Sequence, residues 1–158
     1  MQTTAKPKVV KLKIKAGVEV QGCDVYIGRR MTQGGHNRGE SQWRNPFKGT
    51  EKGTICIPAY KKHVEELIGR DPTEWIAELV ETQKLSCVQI YRLYLIKLIK
   101  SDLDKWITEL VSLEGKVLGC WCKPDPCHGD VLSEFVAMAC DAVEERSGEF
   151  LEVLFGEQ

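Results

Sequence analysis

Three of the chain's seven cysteines and one of its three histidines fall within nine residues: Cys120, Cys122, Cys127 and His128. They stand in the stretch Gly119-Cys120-Trp121-Cys122-Lys123-Pro124-Asp125-Pro126-Cys127-His128-Gly129-Asp130, after an apolar run and before an amphipathic one. Thiols and imidazoles gathered at a strand end can bind a metal, attack a carbon or phosphorus centre, or relay redox state. Cys120 and Cys122 are two apart on a strand pattern, so their side chains share a face. The proline-rich turn over 123–126 can return Cys127 and His128 towards them.

Two chemistries fit this cluster. Three thiolates and one imidazole, from Cys120, Cys122, Cys127 and His128, would close a tetrahedral zinc site, and zinc is the one cofactor the residues suggest. The spacing Cys-x-Cys-x4-Cys-His is not a standard zinc pattern, because ligands at adjacent positions strain the chelate. In the second chemistry Cys127 lies beside a helix start, where the local field stabilises a thiolate, and His128 or Asp130 takes or holds the proton. Cys127, His128 and Asp130 are then the catalytic candidates. The bland alternative places Cys120 and Cys122 in the core and gives Cys127-His128 a turn to shape. Cys23, Cys56, Cys87 and Cys140 stand alone and read as small buried hydrophobes.

A second set of chemistry-bearing residues follows Tyr26-Ile27-Gly28-Arg29-Arg30. Glycines let backbone amides approach a ligand, and an arginine fork grips phosphate or carboxylate. Gly28, Arg29, Trp43, Asn45 and Phe47 are the ligand-binding candidates, with Gly129 adding the amides of a helix start. Trp43 and Phe47 would stack on a base. The segment matches neither a Walker loop nor the dinucleotide-binding glycine pattern. Arg38 and Arg44 read as parts of a solvated loop.

The elements that must position these groups are legible from periodicity. Val9-Val10-Lys11-Leu12-Lys13-Ile14-Lys15 alternates apolar residue and lysine, the pattern of a half-buried strand with its lysines in water. Asp24-Val25-Tyr26-Ile27-Gly28-Arg29 reads as a second strand, and residues 31–54 as a long polar loop. Lys61–Ile68 predicts a short helix. Asp71-Pro72-Thr73-Glu74 predicts a helix start, with apolar residues at helical spacing from Trp75 to Ile99 and a break near Ser86. Ser101-Asp102-Leu103-Asp104 opens another helix, with Trp106, Leu110 and Leu113 on one stripe. Lys116 to Cys122 is a strand, and Gly129 or Asp130 opens a last helix to about Glu145. The expected fold is α/β or α+β: a small sheet of a few strands covered by helices in one compact layered domain.

At 158 residues, one domain over 1–146 is the natural count, followed by a mobile tail at 147–158 of partly vector-derived sequence. Charge is nearly balanced, 22 basic against 23 acidic residues, which argues against a general nucleic-acid coat protein. Local balance differs, since residues 6–15 hold five lysines and no acid. The N-terminus lacks the apolar core of a signal peptide, and no segment is apolar enough to span a membrane. A reducing cytoplasm is the expected compartment.

Two blocks resemble the family described as domain of unknown function 4326, known from bacteria, phages and some large viruses. The first is Val25-Tyr26-Ile27-Gly28-Arg29 with Ser41, Trp43, Asn45, Pro46 and Phe47. The second runs from Gly115 through Cys120-Trp121-Cys122-Lys123-Pro124 to Cys127-His128-Gly129-Asp130-Val131-Leu132. The resemblance implies one compact domain and pairs the blocks as one site, without an established activity. The helical middle, 83–100, extends beyond shorter members and could face a protein partner. The function expected is binding of a phosphate-bearing ligand, a nucleotide or its derivative, with Cys/His-assisted transfer or hydrolysis. The rival is a zinc-stabilised, non-catalytic binding module in phage–host interaction, and nucleic acid is a further candidate partner.

Overall fold

The computed structural model describes residues 6–49, 56–58, 60–121, 127–144 and 149–156. The fold is α+β, and the chain divides into two compact units, Met1–Arg44 with Asp104–Gln158, and Asn45–Leu103.

The first unit is built on a three-stranded sheet in the order β1-β7-β4, with β1 at Lys8–Lys11, β4 at Val25–Tyr26 and β7 at Val117–Cys120. Both neighbours run parallel to β7, pairing Lys11 with Cys120 and Tyr26 with Gly119. The ladders continue one residue further, as Leu12 N–H donates to Cys120 O (3.1 Å) and Ile27 N–H to Gly119 O (3.0 Å). All three strands therefore end at one edge. β7 is central and apolar, with Leu118, Gly119 and Cys120 buried, as a strand covered on both faces requires.

The lysine-alternating segment is not one strand. It breaks at Leu12, which is 3% exposed, and resumes as β2 (Lys13–Lys15), paired antiparallel with β3 (Val18–Gln21). Ala16 and Gly17, at φ 53° and 77°, make the two-residue turn. Such a turn needs positive φ at both positions, which glycine adopts readily and alanine only under strain. Because alanine hides the usual turn signal, this hairpin was not legible. The expectation for the lysines holds: Lys8, Lys11, Lys13 and Lys15 are exposed.

Helix α5 (His128–Val143) packs on β1 and β7, burying Leu132, Phe135, Val136 and Ala139 completely. α4 (Leu103–Val111) buries Trp106 and Leu110, the stripe expected of it. Where the sequence suggests a mobile tail, Glu149–Phe155 forms a further helix, α6. Its Phe150, 1% exposed, meets Phe135 edge-on at 6.1 Å. Two apolar residues one helical turn apart, Phe150 and Leu154, are enough to anchor it.

The second unit pairs β5 (Phe47–Gly49) antiparallel with β6 (Cys56–Pro58) beside α1 (Lys61–Ile68), α2 (Pro72–Gln83) and α3 (Cys87–Ser101). Asp71 caps α2 by accepting the Thr73 N–H at 2.8 Å, as its place before Pro72 predicts. The break near Ser86 is a capping box: Ser86 Oγ accepts from Gln89 N–H (3.3 Å) and Gln89 Oε1 from Ser86 N–H (2.8 Å). Ser86→Ala is expected to lower unfolding free energy by about 1 kcal/mol, read from denaturant titration. Ile90, Tyr91, Tyr94, Leu95, Leu98 and Ile99 are all buried, so the apolar stripe of α3 is core rather than an open partner surface. No helix among the described residues is long and apolar enough to cross a membrane.

Candidate functional site

The common C-terminal edge of β1, β7 and β4 carries the chemistry-bearing residues of the first unit. Strand ends in a parallel sheet are where loops diverge and leave room for a ligand. After β4 the chain runs through Ile27 and Gly28 to Arg29, after β7 to Trp121, and the N-terminus of α5 arrives beside them. The two sequence blocks thus meet through the β4–β7 pairing.

Tyr26 ties this edge together. Its hydroxyl donates to Arg29 O and accepts from Trp121 Nε1 at 2.7 Å. Burial raises its pKa above the usual 10, which keeps the hydroxyl protonated and able to donate. Trp121 also meets His36 edge-on, with ring centroids 4.5 Å apart. Both rings line a cleft of about 520 Å³ with Lys11, Lys13 and Lys15, and among the described residues no acidic side chain lies in that lining. Arg38 is paired with Glu19 at 3.2 Å and stacks over the Tyr26 ring, so it serves the loop.

Arg29 stands out for what it lacks. Its Nη1 is buried and has no hydrogen-bond partner among the described residues. A buried guanidinium donor without an acceptor is destabilising, and an oxygen acceptor, strongest when anionic, would complete it. Gly28 is buried, and its carbonyl accepts the Ser41 N–H at 3.0 Å, a structural role.

At the start of α5, Cys127 is the N-cap. Its Sγ accepts the Gly129 N–H at 3.3 Å, while Asp130 Oδ2 accepts the Cys127 N–H at 3.1 Å. Asp130 is thereby a capping residue, and the helix-start amide of Gly129 is turned to sulfur. Gly129 itself is packed inside: a Cβ there would come within 2.8 Å of both Ile27 and Val9. Cys127 Sγ lies 2.9 Å from Cys120 Sγ and 3.7 Å from His128 Nδ1. Cys120 is 1% exposed, Cys127 0% and His128 6%. His128 Nε2 is 2.7 Å from Ile27 O, and since a carbonyl only accepts, Nε2 carries the proton and Nδ1 keeps its lone pair. Burial lowers the pKa of His128; the hydrogen bond to Ile27 O and the nearby Cys120 and Asp130 oppose the shift, and the positive charge of Arg29 adds to it.

The other candidates fall elsewhere. Trp43, 2% exposed, packs edge-on against Trp106 at 5.2 Å, and Phe47, also 2% exposed, against Trp75 and Tyr94 in the second unit. Burial leaves neither with an open face for a base, which corrects their assignment as stacking residues. Asn45 Oδ1 accepts the Phe47 N–H at 2.9 Å, shaping a turn in that unit. Cys122 lies outside the described residues. Among those described, no group of three His, Cys, Asp or Glu is arranged to hold a metal.

Tyr26, His36 and Trp121 were not singled out by sequence. Trp121 immediately follows β7 and precedes a polar turn, which is the one local signal that could have marked it.

No solved structure matches the chain. Uncharacterized protein R718 of Acanthamoeba polyphaga mimivirus is 37% identical over 73 residues, 46% of this chain and 55% of that protein, so the match spans little more than half of the relative. The family model described as Domain of unknown function (DUF4326) matches residues 10–138, taking in both the Tyr26–Arg29 turn and the Cys127–His128 helix start, and the chain belongs to that family.

Proposed function

We propose that this protein binds a phosphate-bearing ligand, a nucleotide or a derivative of one, at the C-terminal edge of its parallel sheet. The observation that carries the reading is the buried Arg29 Nη1 with no acceptor among the described residues. A phosphate oxygen would satisfy it by a charge-assisted hydrogen bond. The neighbouring cleft supports the same ligand class: Lys11, Lys13 and Lys15 supply positive charge, and Trp121 with His36 supplies an aromatic wall. A cytoplasmic setting suits both nucleotides and reduced cysteines.

The reading is one of binding. A transfer or hydrolysis step at Cys127 would require a sulfur that is 0% exposed to reach a ligand.

Titration of the full chain with ADP and, separately, with pyrophosphate, followed by calorimetry and Trp fluorescence, tests the proposal. Both should bind, ADP more tightly, and Arg29→Gln should weaken both at least roughly tenfold, the loss of a charged hydrogen bond. Absence of binding by either ligand, or equal affinity in Arg29→Gln with unchanged thermal stability, would overturn it.

A further inference from the structure

We propose that Cys120 and Cys127 are a redox-active dithiol, joined by a disulfide when the protein meets peroxide. The two sulfurs come from different elements, the last residue of β7 and the N-cap of α5, yet lie 2.9 Å apart. A sulfur–sulfur bond is roughly 2.05 Å long, so the pair needs to close by only about 1 Å. No other pair of sulfurs among the described residues comes so close, and both residues are buried. The approach therefore follows from the β7–α5 packing.

The surroundings assign a role to each sulfur. Cys127 Sγ has the Gly129 N–H at 3.3 Å and the lone pair of His128 Nδ1 at 3.7 Å. One group stabilises negative charge on sulfur and the other can accept its proton, so Cys127 is the thiol that reacts first. Its sulfur attacks hydrogen peroxide: an S–O bond forms, the O–O bond breaks and water leaves, giving a sulfenic acid. Cys120 Sγ then attacks that sulfur, the S–S bond forms, the S–O bond breaks and a second water leaves. Two thiols and one peroxide become one disulfide and two waters. Burial slows access but admits a molecule as small as peroxide during local opening.

This pair stands apart from the ligand reading, though a link is built in. Trp121 follows Cys120 directly and lines the lysine cleft. Closing the dithiol pulls on the end of β7, so the indole that donates to the Tyr26 hydroxyl reports the change.

The experiment treats the reduced full chain with a small excess of hydrogen peroxide, blocks remaining thiols with iodoacetamide, and maps the bonds by fragmentation mass spectrometry. A Cys120–Cys127 cross-link is expected, with the loss of two hydrogens, reversal by dithiothreitol and a shift in Trp emission. It should persist in Cys122→Ser and vanish in Cys120→Ser. Sulfinic or sulfonic acid on Cys127 without a cross-link would overturn the proposal, as would a bond from Cys127 to Cys122 or no reaction in the folded chain. Because the bond is located in the unsubstituted protein, misfolding of Cys120→Ser would not blunt the test. ADP binding, measured separately on the reduced chain, keeps failure here distinct from failure of the ligand reading.

Discussion

Replacing Trp106 by alanine is expected to lower the unfolding free energy by about 3–5 kcal/mol, the range for removing a large aromatic from a packed core. Trp106 is 8% exposed and meets Trp43 edge-on at 5.2 Å, with Trp43 itself 2% exposed. Truncation removes one ring and one contact of the other, so the loss includes a ring–ring contact as well as buried area. Lys105 also places its ammonium 4.6 Å from the Trp106 ring centre, a smaller contribution at a solvated edge. Trp106→Phe should retain part of the stability, since an aromatic ring still fills much of the space. Urea titration of the three proteins checks the order. An unchanged midpoint in Trp106→Ala would mean that the indole pair adds nothing to the fold.

The helices were legible because their signals are local. Asp71 before Pro72, Ser86 before a helical run, and the Trp106–Leu110 spacing each specify a cap or a face within a few residues. The sheet was legible in part. Val25-Tyr26 and Val117-Leu118 read as strands, but which strand lies between the others depends on pairing across some ninety residues, as between Asp24 N–H and Val117 O. The break at Leu12 is hidden by one continuous alternation over β1 and β2, and the hairpin by alanine standing where a turn signal would be. Division into two units was hidden for a similar reason: the polar segment after Arg29 carries Trp43 into one core and Phe47 into another, only four residues apart.

The site was legible as composition more than as geometry. Cys120, Cys127, His128 and Arg29 were marked by type and spacing, and the structure brings their strands and helix start to one edge. Their roles depend on burial, which the sequence does not reveal. Asp130 is a proton acceptor candidate by spacing, and in the fold one of its carboxylate oxygens accepts the Cys127 N–H. Gly129 reads as an anion-binding turn, and in the fold its N–H is directed to Cys127 Sγ. Trp43 and Phe47 looked like stacking platforms because they are aromatics in a polar loop, where burial rather than ligand contact turned out to explain them. Trp121 has the opposite history. Surrounded by cysteines, it reads as part of their cluster, while its ring serves the lysine cleft.

His128 should make the protein lose stability as pH falls below about 6.5. Burial is the main cause of its lowered pKa, reinforced by Arg29 and opposed by the Ile27 carbonyl, Cys120 and Asp130. The unfolded chain takes up a proton as pH passes its ordinary value of about 6.5, while the folded chain does not until a lower pH. The unfolded state then binds more protons, so stability declines by up to about 1.4 kcal/mol per pH unit, until the folded state protonates as well and the decline stops. Above that window the contribution is fully present. Unfolding free energies measured across this range should show the extra slope in the unsubstituted protein and lack it in His128→Gln, which retains an N–H donor for Ile27 O. Equal slopes would mean that His128 titrates alike in both states. The same proton, once bound, occupies the Nδ1 lone pair that faces Cys127, so oxidation of the dithiol should slow over the pH range in which the folded state is protonated.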